Sequence, residues 1–549
     1  MTTGFSTIHR KTFLSRLQSE HFDLLVIGGG ITGAGIALDA ASRGLKVALV
    51  EKHDFAYGTS SRSTKLIHGG LRYLKQLEFG LVKEVGSERG IVHNLAPHLV
   101  IPEKMLLPLS EGKSLGYWLT SLGLMIYDWL AAVKKEDHRR MLTRALTIRY
   151  EPLLRRENIH GGAIYAEYRT DDARLTIEIM KTAARHGLVA LNYMRVTNFV
   201  YDEETVSGVT VTDEISRDSM VIKATAVVNA AGPWVDELRT LNKSRTKKRL
   251  HLTKGVHIVV PYEKLPVLQA IYFEAPDGRM IFAIPRGRTT YIGTTDTDYH
   301  GDKNHVVATK EDVEYLIRAV NEMFLIPRLA MKDVESSWAG LRPLIHEEGK
   351  SATEMSRKDE IFESSSGLFS IAGGKLTGYR KMAERAVDLV ITRHFKGRPL
   401  KKCYTEHIKL TGNNFTSAKD VRNYITGLRK KIEPNGFTTL TAHYLVDNYG
   451  RQTDMILKHF EEHHTDGADS DLSLLKAQLW FSVYHEMIAS LSDFFVRRTG
   501  LLHFDIDKVK KCKFEIAKTM QEYLGWTDTR RENELFLLNK LLEEACTFV

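Results

Sequence analysis

The sequence predicts an α/β domain with a parallel sheet, an α+β domain with antiparallel strands, and an all-helical domain at the C-terminus. Three observations support this fold class. The chain has 549 residues, which is more than a single hydrophobic core normally holds. Residues 23–51 have the pattern of a strand, a glycine turn, a helix and a second strand. After about residue 400 the apolar spacing becomes helical.

The overall charge is basic, with a net charge of +9 and a pI of about 9.1. Such a balance favours nucleic acid, anionic lipid or an anionic substrate as a partner. The densest basic run, RTKKR at 245–249, is short and is interpreted as a solvated loop. We therefore expect no nucleic-acid partner, and an anionic lipid surface or substrate remains.

The three cysteines, Cys403, Cys512 and Cys546, lie far apart and form no CxxC pair. This usage predicts a reduced, cytoplasmic setting, and it predicts neither a metal site nor a disulfide reductase. The N-terminus lacks the apolar region of a signal peptide. Residues 114–133 are the most membrane-like stretch, but they include Asp128 and barely reach the length of a span. We expect a buried or interfacial helix there.

The glycine turn carries the first chemical signal. Gly28, Gly30 and Gly33 form G-x-G-x-x-G between a strand and a helix. The first glycine allows the tight turn, the second admits a pyrophosphate, and the third lets helix and strand pack closely. The helix N-terminus then offers amides to phosphates. Glu51 ends the next strand, where its carboxylate can accept hydrogen bonds from a ribose. The turn therefore predicts a dinucleotide site.

The rest of the chain predicts further strands and helices in separate stretches. Residues 201–232 predict short antiparallel strands that return to a buried strand, and 255–261, 280–285 and 289–296 predict further strands. Between about 100 and 150 the pattern is irregular and predicts apolar helices. Beyond 400, Ser417 and Thr529, each followed by an acid three residues later, predict helix N-caps, and 472–495 has helical spacing throughout.

Two further stretches favour a flavin as the dinucleotide. Residues 58–74 are rich in hydroxyls and glycine and follow the second strand directly, so small side chains there can line a long cofactor. Residues 368–380 form a second strand-to-helix glycine site. Its helix N-terminus can face the pyrimidine edge of a flavin, where reduction places negative charge.

Eight motifs occur in order: GGGITGAGIALDAASRG, TSSRSTKLIHGGLRYL, DDARL, VNAAGPWV, KGVHIVVP, IGTTDTDY, GLRPL and GGKLTGYR. Together they resemble the aerobic, FAD-dependent glycerol-3-phosphate dehydrogenases over about residues 23–390. The helical tail resembles the family's cap domain more loosely. Gly378 follows Thr377 where many members have a threonine, and the residues before Asp23 are an unusual extension.

The resemblance implies a glutathione-reductase-like FAD-binding domain, an antiparallel-sheet substrate domain and a C-terminal helical cap. It also implies oxidation of sn-glycerol 3-phosphate to dihydroxyacetone phosphate, with a hydride passing from C2 to FAD N5 and electrons passing to membrane quinone. The predicted division is an N-terminal extension (1–22), the FAD-binding domain (23–100, 150–245 and 340–395), the substrate domain (101–149 and 246–339) and the helical domain (396–549).

The resemblance also assigns residues to roles. His257 and Arg342 are the expected catalytic residues, either with His257 as the proton acceptor or with His257 orienting the substrate while Arg342 polarises the alkoxide. The substrate phosphate is expected at Arg72, Tyr73, Lys375 and Arg357. FAD is expected at Gly28, Gly30, Gly33, Glu51, Ser60, Ser61, Lys65, Leu66, Ile67, Gly232, Gly374 and Thr377. His68 and Trp234 are expected to be structural.

Three other functions are weighed against this one. A glycerol-3-phosphate oxidase would pass electrons to oxygen and make peroxide, and nothing in the residues distinguishes the two acceptors. A non-catalytic peripheral membrane flavoprotein would have lost the expected site residues, which are present. A deaminating amino-acid oxidase would need one arginine for a carboxylate, whereas several cations suit a phosphate. We expect peripheral association with the inner face of the cell membrane, and a homodimer is possible.

Overall fold

The computed structural model describes residues 4–68, 79–110, 121, 124–126, 138–246, 248–345 and 359–548. These residues form an eight-stranded sheet, a ten-stranded sheet and a C-terminal helical domain, which confirms the predicted fold class. The strands are β1 (His21–Ile27), β2 (Val47–Val50), β3 (Leu66–Ile67), β4 (Ile101–Ser110), β5 (Arg140–Thr143), β6 (Ile159–Arg169), β7 (Val189–Leu191), β8 (Met194–Asp202), β9 (Thr205–Asp213), β10 (Ser219–Asn229), β11 (Leu250–Pro261), β12 (Ala270–Glu274), β13 (Met280–Arg286), β14 (Thr289–Gly293), β15 (Thr297–Asp298), β16 (Ser336–Ile345), β17 (Glu360–Glu363) and β18 (Leu368–Ala372).

The α-helices pack on both sheets and build the C-terminal domain. They are α1 (Arg10–Ser19), α2 (Ile31–Arg43), α3 (Phe79–Leu95), α4 (Arg144–Tyr150), α5 (Asp172–Arg185), α6 (Val235–Leu241), α7 (Lys310–Met323), α8 (Tyr379–His394), α9 (Ala418–Ile432), α10 (Thr439–Tyr449), α11 (Thr453–His463), α12 (Ser470–His485), α13 (Leu501–Phe504), α14 (Ile506–Leu524) and α15 (Asp528–Cys546).

The first sheet has a parallel centre in the order β18-β10-β1-β2-β7. Its strands are apolar almost throughout because helices cover both faces, and Leu24, Leu25 and Val26 are fully buried. The antiparallel strands β8 and β9 lead into β10, as the sequence predicts for residues 201–232. The carboxyl ends of β1, β2, β10 and β18 lie along one edge, where ligands bind in open α/β sheets.

The second sheet is largely antiparallel, with β11 paired to β14, β15 and β16. The prediction of apolar helices between about 100 and 150 is wrong for residues 101–110, which form β4 along β6. Pro102 and Pro108 disfavour a helix there, since each lacks a backbone N–H. Helix α4 does form at the end of that stretch.

The points along the chain at which strands pass from one sheet to the other differ from the predicted domain boundaries. Strand β6 pairs with β4 in the second sheet although it lies within 150–245, which the prediction assigns to the first domain. Strand β16 belongs entirely to the second sheet although the prediction divides it at residue 340. Short apolar strands look alike in the sequence, so only pairing reveals which sheet each joins.

The N-terminal extension packs on the domain that follows it. Phe13 and Leu17 of α1 are buried in the core of the first sheet. The ring of Phe5 lies 5.3 Å from that of Phe55. The Ser6 hydroxyl donates a hydrogen bond to the carbonyl of Val483 at 3.2 Å. The extension therefore contacts both the α/β domain and the helical domain.

The helical domain follows the predicted spacing with two differences. The helix expected over 472–495 ends at His485, and Met487 has a positive φ of 53° before a π-helical turn, Asp493–Arg498. The N-cap at Ser417 is confirmed by a 3.2 Å bond from the amide of Asp420. The N-cap expected at Thr529 is wrong, because α15 begins two residues earlier with Thr527 as its cap.

Within the membrane-like stretch 114–133, the structure describes only residues 121 and 124–126, and these are helical. No described helix combines the length and the apolar character that crossing a bilayer requires.

A buried charge cluster joins the first domain to the helical domain. The Arg174 guanidinium on α5 donates to Glu486 at 2.7 Å and to Glu178 at 2.6 Å, and Lys181 reaches both acids at 3.0 Å. Burial alone would raise the pKa of Glu486, but Arg174 and Lys181 outweigh burial and hold the pKa well below its usual range. These four side chains carry two positive and two negative charges, and Arg498 approaches Glu486 as a further cation at 4.0 Å, so the acid is fully compensated.

Glu486→Gln should lower the free energy of unfolding by about 3 kcal/mol, because it leaves two buried cations with a single acid. Since the folded-state pKa of Glu486 is depressed, its contribution is complete above the usual glutamate pKa and is lost as the pH falls through the folded-state value. Denaturant unfolding should therefore show a gap between wild type and variant that is full at pH 7 and narrows below about pH 4.5.

The matched control is Glu461→Gln, which breaks an exposed ion pair with Lys431 at 2.9 Å. Its effect should stay below about 0.5 kcal/mol at either pH. An equal decrease in the free energy of unfolding in Glu486→Gln and Glu461→Gln would contradict the importance of the buried cluster.

Candidate active site

A cavity of about 910 Å³ is lined by residues from both sheets. This volume lies near the upper end of the range for ligand pockets, as a long cofactor plus a substrate requires. Eleven of the residues that the sequence assigns to the site line it: Gly28, Gly30, Glu51, Ser60, Leu66, Gly232, His257, Arg342, Gly374, Lys375 and Thr377.

The glycine turn joins β1 to α2 at one end of this cavity. Gly28 has a φ of 112°, and a Cβ there would lie 2.6 Å from the carbonyl oxygen of Ala230. A Cβ on Gly33 would lie only 1.9 Å from the oxygen of Gly28. These close approaches confirm the tight turn and the helix–strand packing that the motif predicts. The turn thus presents backbone, without side chains, to a pyrophosphate.

Glu51 and Ser60 close the turn from the side of β2. The Glu51 carboxylate accepts hydrogen bonds from the amides of Gly29 at 2.7 Å and His53 at 2.9 Å. The Ser60 hydroxyl accepts one from the amide of Ile31 at 2.9 Å. Both side chains line the cavity, so their remaining lone pairs can face a ligand.

Four residues assigned to the cofactor are not among those that line the cavity: Gly33, Ser61, Lys65 and Ile67. Lys65 is buried and points to the acids at the start of α5, with its Nζ 2.6 Å from Asp172 and 3.5 Å from Asp171. Its φ of 57° belongs to the left-handed region. Lys65 therefore anchors the loop before β3 to α5.

His257 lies on β11 with its ring fully enclosed. The ring stacks on Trp338 at a centroid distance of 4.7 Å, and Nε2 lies 3.0 Å from the hydroxyl of Thr64. A Cβ on the facing Gly293 would lie 2.1 Å from the ring, so glycine is required opposite it. Burial, followed by the charge of Arg342, lowers the pKa of His257 well below its ordinary value. The ring is therefore neutral at pH 7 and can accept a proton.

Arg342 extends from β16, the neighbour of β11, over the same face of the sheet. Its guanidinium donates to Asp296 at 2.9 Å and to the hydroxyl of Thr294 at 3.0 Å. A Cβ on Gly255 would lie 2.3 Å from its Nη2, so the guanidinium occupies the space above that glycine. Because Gly255 lies two residues before His257, the cation and the imidazole share one wall of the cavity.

Lys375 lies in the second glycine site, between β18 and α8. Gly373 and Gly374 have φ values of 76° and 80°, which turn the chain sharply after the strand. Lys375 lines the cavity, and the hydroxyl of Thr377 donates to the carbonyl of His68 at 3.3 Å. The turn therefore brings Lys375 to the cavity that also contains His257.

Three expected phosphate ligands, Arg72, Tyr73 and Arg357, lie outside the described residues. Their assignment stays a prediction.

Sequence reasoning missed the residues that orient the expected ones. Thr64 and Trp338 fix the ring of His257, and Thr294 and Asp296 fix the guanidinium of Arg342. The motifs TSSRSTK and IGTTDTDY contain three of these four residues. His68 and Trp234, expected to be structural, both line the cavity.

A group of side chains that could hold a metal ion lies on α11, away from the cavity. One atom each from His459, Glu462 and His463 lie within 4.8 Å of one another. None of the three lines the cavity. The two histidines lie one helical turn apart, a spacing that the cysteine-based prediction of no metal site did not consider, and that prediction stays a prediction.

The glycine turn, the acid after β2 and the cavity between the sheets are features of a flavin-dependent oxidoreductase. The model of a family described as FAD dependent oxidoreductase matches residues 23–380, and the chain belongs to that family. A second model, described as the C-terminal domain of alpha-glycerophosphate oxidase, matches residues 403–531. FAD is therefore the cofactor, and the glycines whose Cβ positions are filled by backbone fit its pyrophosphate.

Relatives narrow this class to one activity. The chain is 46% identical to the aerobic glycerol-3-phosphate dehydrogenase of Bacillus subtilis and 47% identical to that of Staphylococcus saprophyticus; the alignments cover 99% of this chain in both and 99% and 98% of the relatives. The crystal structure of the glycerol-3-phosphate dehydrogenase from Bacillus halodurans, complexed with FAD, matches with a TM-score of 0.84 and 44% identity over 99% of each chain.

Gly33→Ala should abolish FAD retention, because the added Cβ collides with the oxygen of Gly28 and must push α2 away from β1. The measurement is the flavin absorbance of the purified protein per polypeptide. Gly90→Ala in α3 is the matched control, since a Cβ there meets open space. A Gly33→Ala protein with a full complement of FAD would contradict the packing argument.

Proposed function

We propose that the protein oxidises sn-glycerol 3-phosphate to dihydroxyacetone phosphate. The observation that carries this proposal is the shared cavity of His257, Arg342 and Lys375, in which a neutral proton acceptor and two cations meet the cofactor site. The names of relatives at 46–47% identity over the full chain support the same substrate.

The cofactor site has two parts in this proposal. The turn at Gly28–Gly30 and the N-terminus of α2 hold the pyrophosphate, and Glu51 accepts hydrogen bonds from the adenosine ribose. Ser60, Leu66 and the second glycine site, all of which line the cavity, run along the rest of the cofactor. When bound, FAD supplies the acceptor for the hydride that leaves C2 of the substrate.

His257 accepts the proton of the C2 hydroxyl in this proposal. Its Nε2 lies 3.0 Å from the Thr64 hydroxyl, and in this proposal the substrate hydroxyl takes the place of that contact. The stack on Trp338 holds the ring plane in position. The depressed pKa keeps the imidazole neutral and ready to accept, although it also limits the basicity of the ring.

The two cations, Arg342 and Lys375, contact different anionic groups of the substrate in this proposal. Arg342, fixed by Asp296 and Thr294, lies on the wall shared with His257 and stabilises negative charge on the C2 oxygen. Lys375 binds the phosphate, together with Arg72, Tyr73 and Arg357, to which the family resemblance assigns the same role. Lysine and arginine suit a phosphate because hydrogen bonds between charged groups are stronger than those between neutral groups.

We propose quinone as the electron acceptor, with the protein bound peripherally at the inner face of the cell membrane. The support is the basic pI of about 9.1, which attracts anionic lipid, and the aerobic dehydrogenase names of the relatives. The alternative is an oxidase that passes electrons to oxygen, and the match to a domain of alpha-glycerophosphate oxidase favours it.

Lys375→Ala should lower kcat/KM for glycerol 3-phosphate by about 10- to 150-fold, because a charge-assisted contact to a buried phosphate is worth roughly 1.5–3 kcal/mol. Slow oxidation of glycerol, which has no phosphate, should change far less. The control is Lys381→Ala on α8, whose side chain pairs with Glu384. An equal loss with both substrates, or loss of FAD, would disprove the phosphate role.

His257→Ala should depress glycerol and glycerol 3-phosphate together, because it acts on the hydroxyl that both share. The pH profile is best measured with glycerol, since the second pKa of a phosphate, about 6, would overlap. Because the pKa of His257 is lowered, wild-type kcat/KM should stay level as the pH falls through 6.5 and decline only at lower pH. A decline centred at pH 6.5 that survives in the variant would exclude His257 as its cause.

Purified protein should reduce a quinone analogue faster than it consumes oxygen. Quinone in anionic vesicles should be reduced faster than quinone in neutral vesicles, and added salt should remove the difference by screening. Rapid oxygen uptake with peroxide formation would favour the oxidase. Bound FAD without turnover on either acceptor would point to a non-catalytic flavoprotein.

A further inference from the structure

The loop that follows β2, residues 51–57, packs against the glycine turn at one end of the cavity. At its start Glu51 accepts a hydrogen bond from the amide of Gly29 at 2.7 Å. Near its end the amide of Ala56, with a φ of 62°, donates to the carbonyl of Gly29 at 3.0 Å. The position of the Glu51 carboxylate therefore depends on how this loop is held.

Asp54 lies in the middle of the loop and is fully buried. Its Oδ2 accepts hydrogen bonds from Arg497 Nε at 2.6 Å and Arg498 Nη1 at 2.8 Å. Its Oδ1 accepts from Arg498 Nη2 at 2.9 Å and from the Asn192 amide at 3.1 Å. Both cations come from the helical domain, so a distant part of the chain fixes the loop.

The two arginines are themselves held. They lie in the π-helical turn Asp493–Arg498, which is confirmed by a bond from the amide of Thr499 to the carbonyl of Phe494 at 3.0 Å. Arg497 also donates to Asp493 at 2.6 Å, and Arg498 donates to the carbonyl of Glu486 at 2.8 Å. Turns of this type are rare and occur frequently at functional sites.

The charges make this contact hard to replace. Burial alone would raise the pKa of Asp54, but Arg498 and Arg497 outweigh it and hold the pKa below its ordinary value. The Asp54 carboxylate is thus charged and fully compensated. Without the arginines it would be a bare buried charge, and the loop would have to open to water.

We propose that the C-terminal helical domain positions the adenosine half of FAD, because Arg497 and Arg498 hold Asp54 and thereby hold the Glu51 loop against the glycine turn. The inference rests on the proposed placement of the cofactor ribose at Glu51. Asp54 is a positioning residue that acts through Glu51. A purely structural clamp would change the stability of the protein and leave its affinity for adenosine ligands unchanged.

The test is Asp54→Asn, which weakens both arginine contacts while keeping the shape of the side chain. Apoprotein should bind FAD roughly 3- to 30-fold more weakly than wild type, measured by flavin fluorescence well below the melting temperature. ADP, which contains only the adenosine half, should lose affinity by the same factor in competition with FAD. FMN, which lacks that half, should bind with unchanged affinity.

The matched control is Asp39→Asn on α2, another buried aspartate with an arginine partner, Arg43 at 2.6 Å. It should lower the melting temperature and leave the affinity for FAD within about twofold of wild type. If Asp54→Asn does not fold, Arg497→Lys is the second variant, because it keeps the positive charge but loses the Nε contact with Asp54. It should lower the affinities for FAD and ADP by the same factor.

The outcomes distinguish the positioning role of Asp54 from the proposed placement of the FAD ribose at Glu51. Unchanged affinity for FAD and ADP in Asp54→Asn, or equal losses in Asp54→Asn and Asp39→Asn, would overturn the positioning role. An FMN affinity that falls as far as that of FAD would also overturn it. Wild-type apoprotein that binds neither FAD nor ADP would instead refute the proposed placement of the cofactor.

Discussion

The close packing of α2 on β1 is the constraint on which the site depends. Only a hydrogen atom fits between Gly33 and the carbonyl of Gly28, so the helix can start directly above the end of the strand. Strand β1 is central in the first sheet, paired to β2 on one side and β10 on the other. The same geometry therefore brings Glu51 and residues 230–232 to one edge, and the cavity opens there.

The fold was predictable where local signals and tertiary packing agree. The unit β1–α2–β2 and the second glycine site between β18 and α8 form as predicted, because strand, glycine and helix signals coincide. Residues 101–110 were mispredicted because their apolar pattern suits a helix or a buried strand equally, and pairing with β6 decides. The break after His485 has no strong sequence signal, since long-range contacts of Glu486 stabilise it.

Much of the site was predictable in residue identity, and less of it in residue contacts. Motifs locate His257, Arg342 and Lys375, and all three line the cavity. Lys65 was expected along the cofactor, yet its ammonium pairs with Asp172, 107 residues away in the sequence. A motif specifies which side chain a position carries, but the partner of a buried cation depends on the tertiary fold. For the same reason Thr64, Trp338 and Asp296 emerged only from the structure.

The partners of Asp54 have a consequence for biosynthesis. The contacts of Asp54 with Arg497 and Arg498 join residues 443 and 444 positions apart. At about 5–20 residues per second, a ribosome needs roughly 20 to 90 seconds to make the intervening chain. During that interval the glycine turn and the first strands can form, but the Asp54 carboxylate has no buried countercharge. Stable closure of the cofactor loop therefore waits until the helical domain has been made, and the chain is expected to acquire its flavin late.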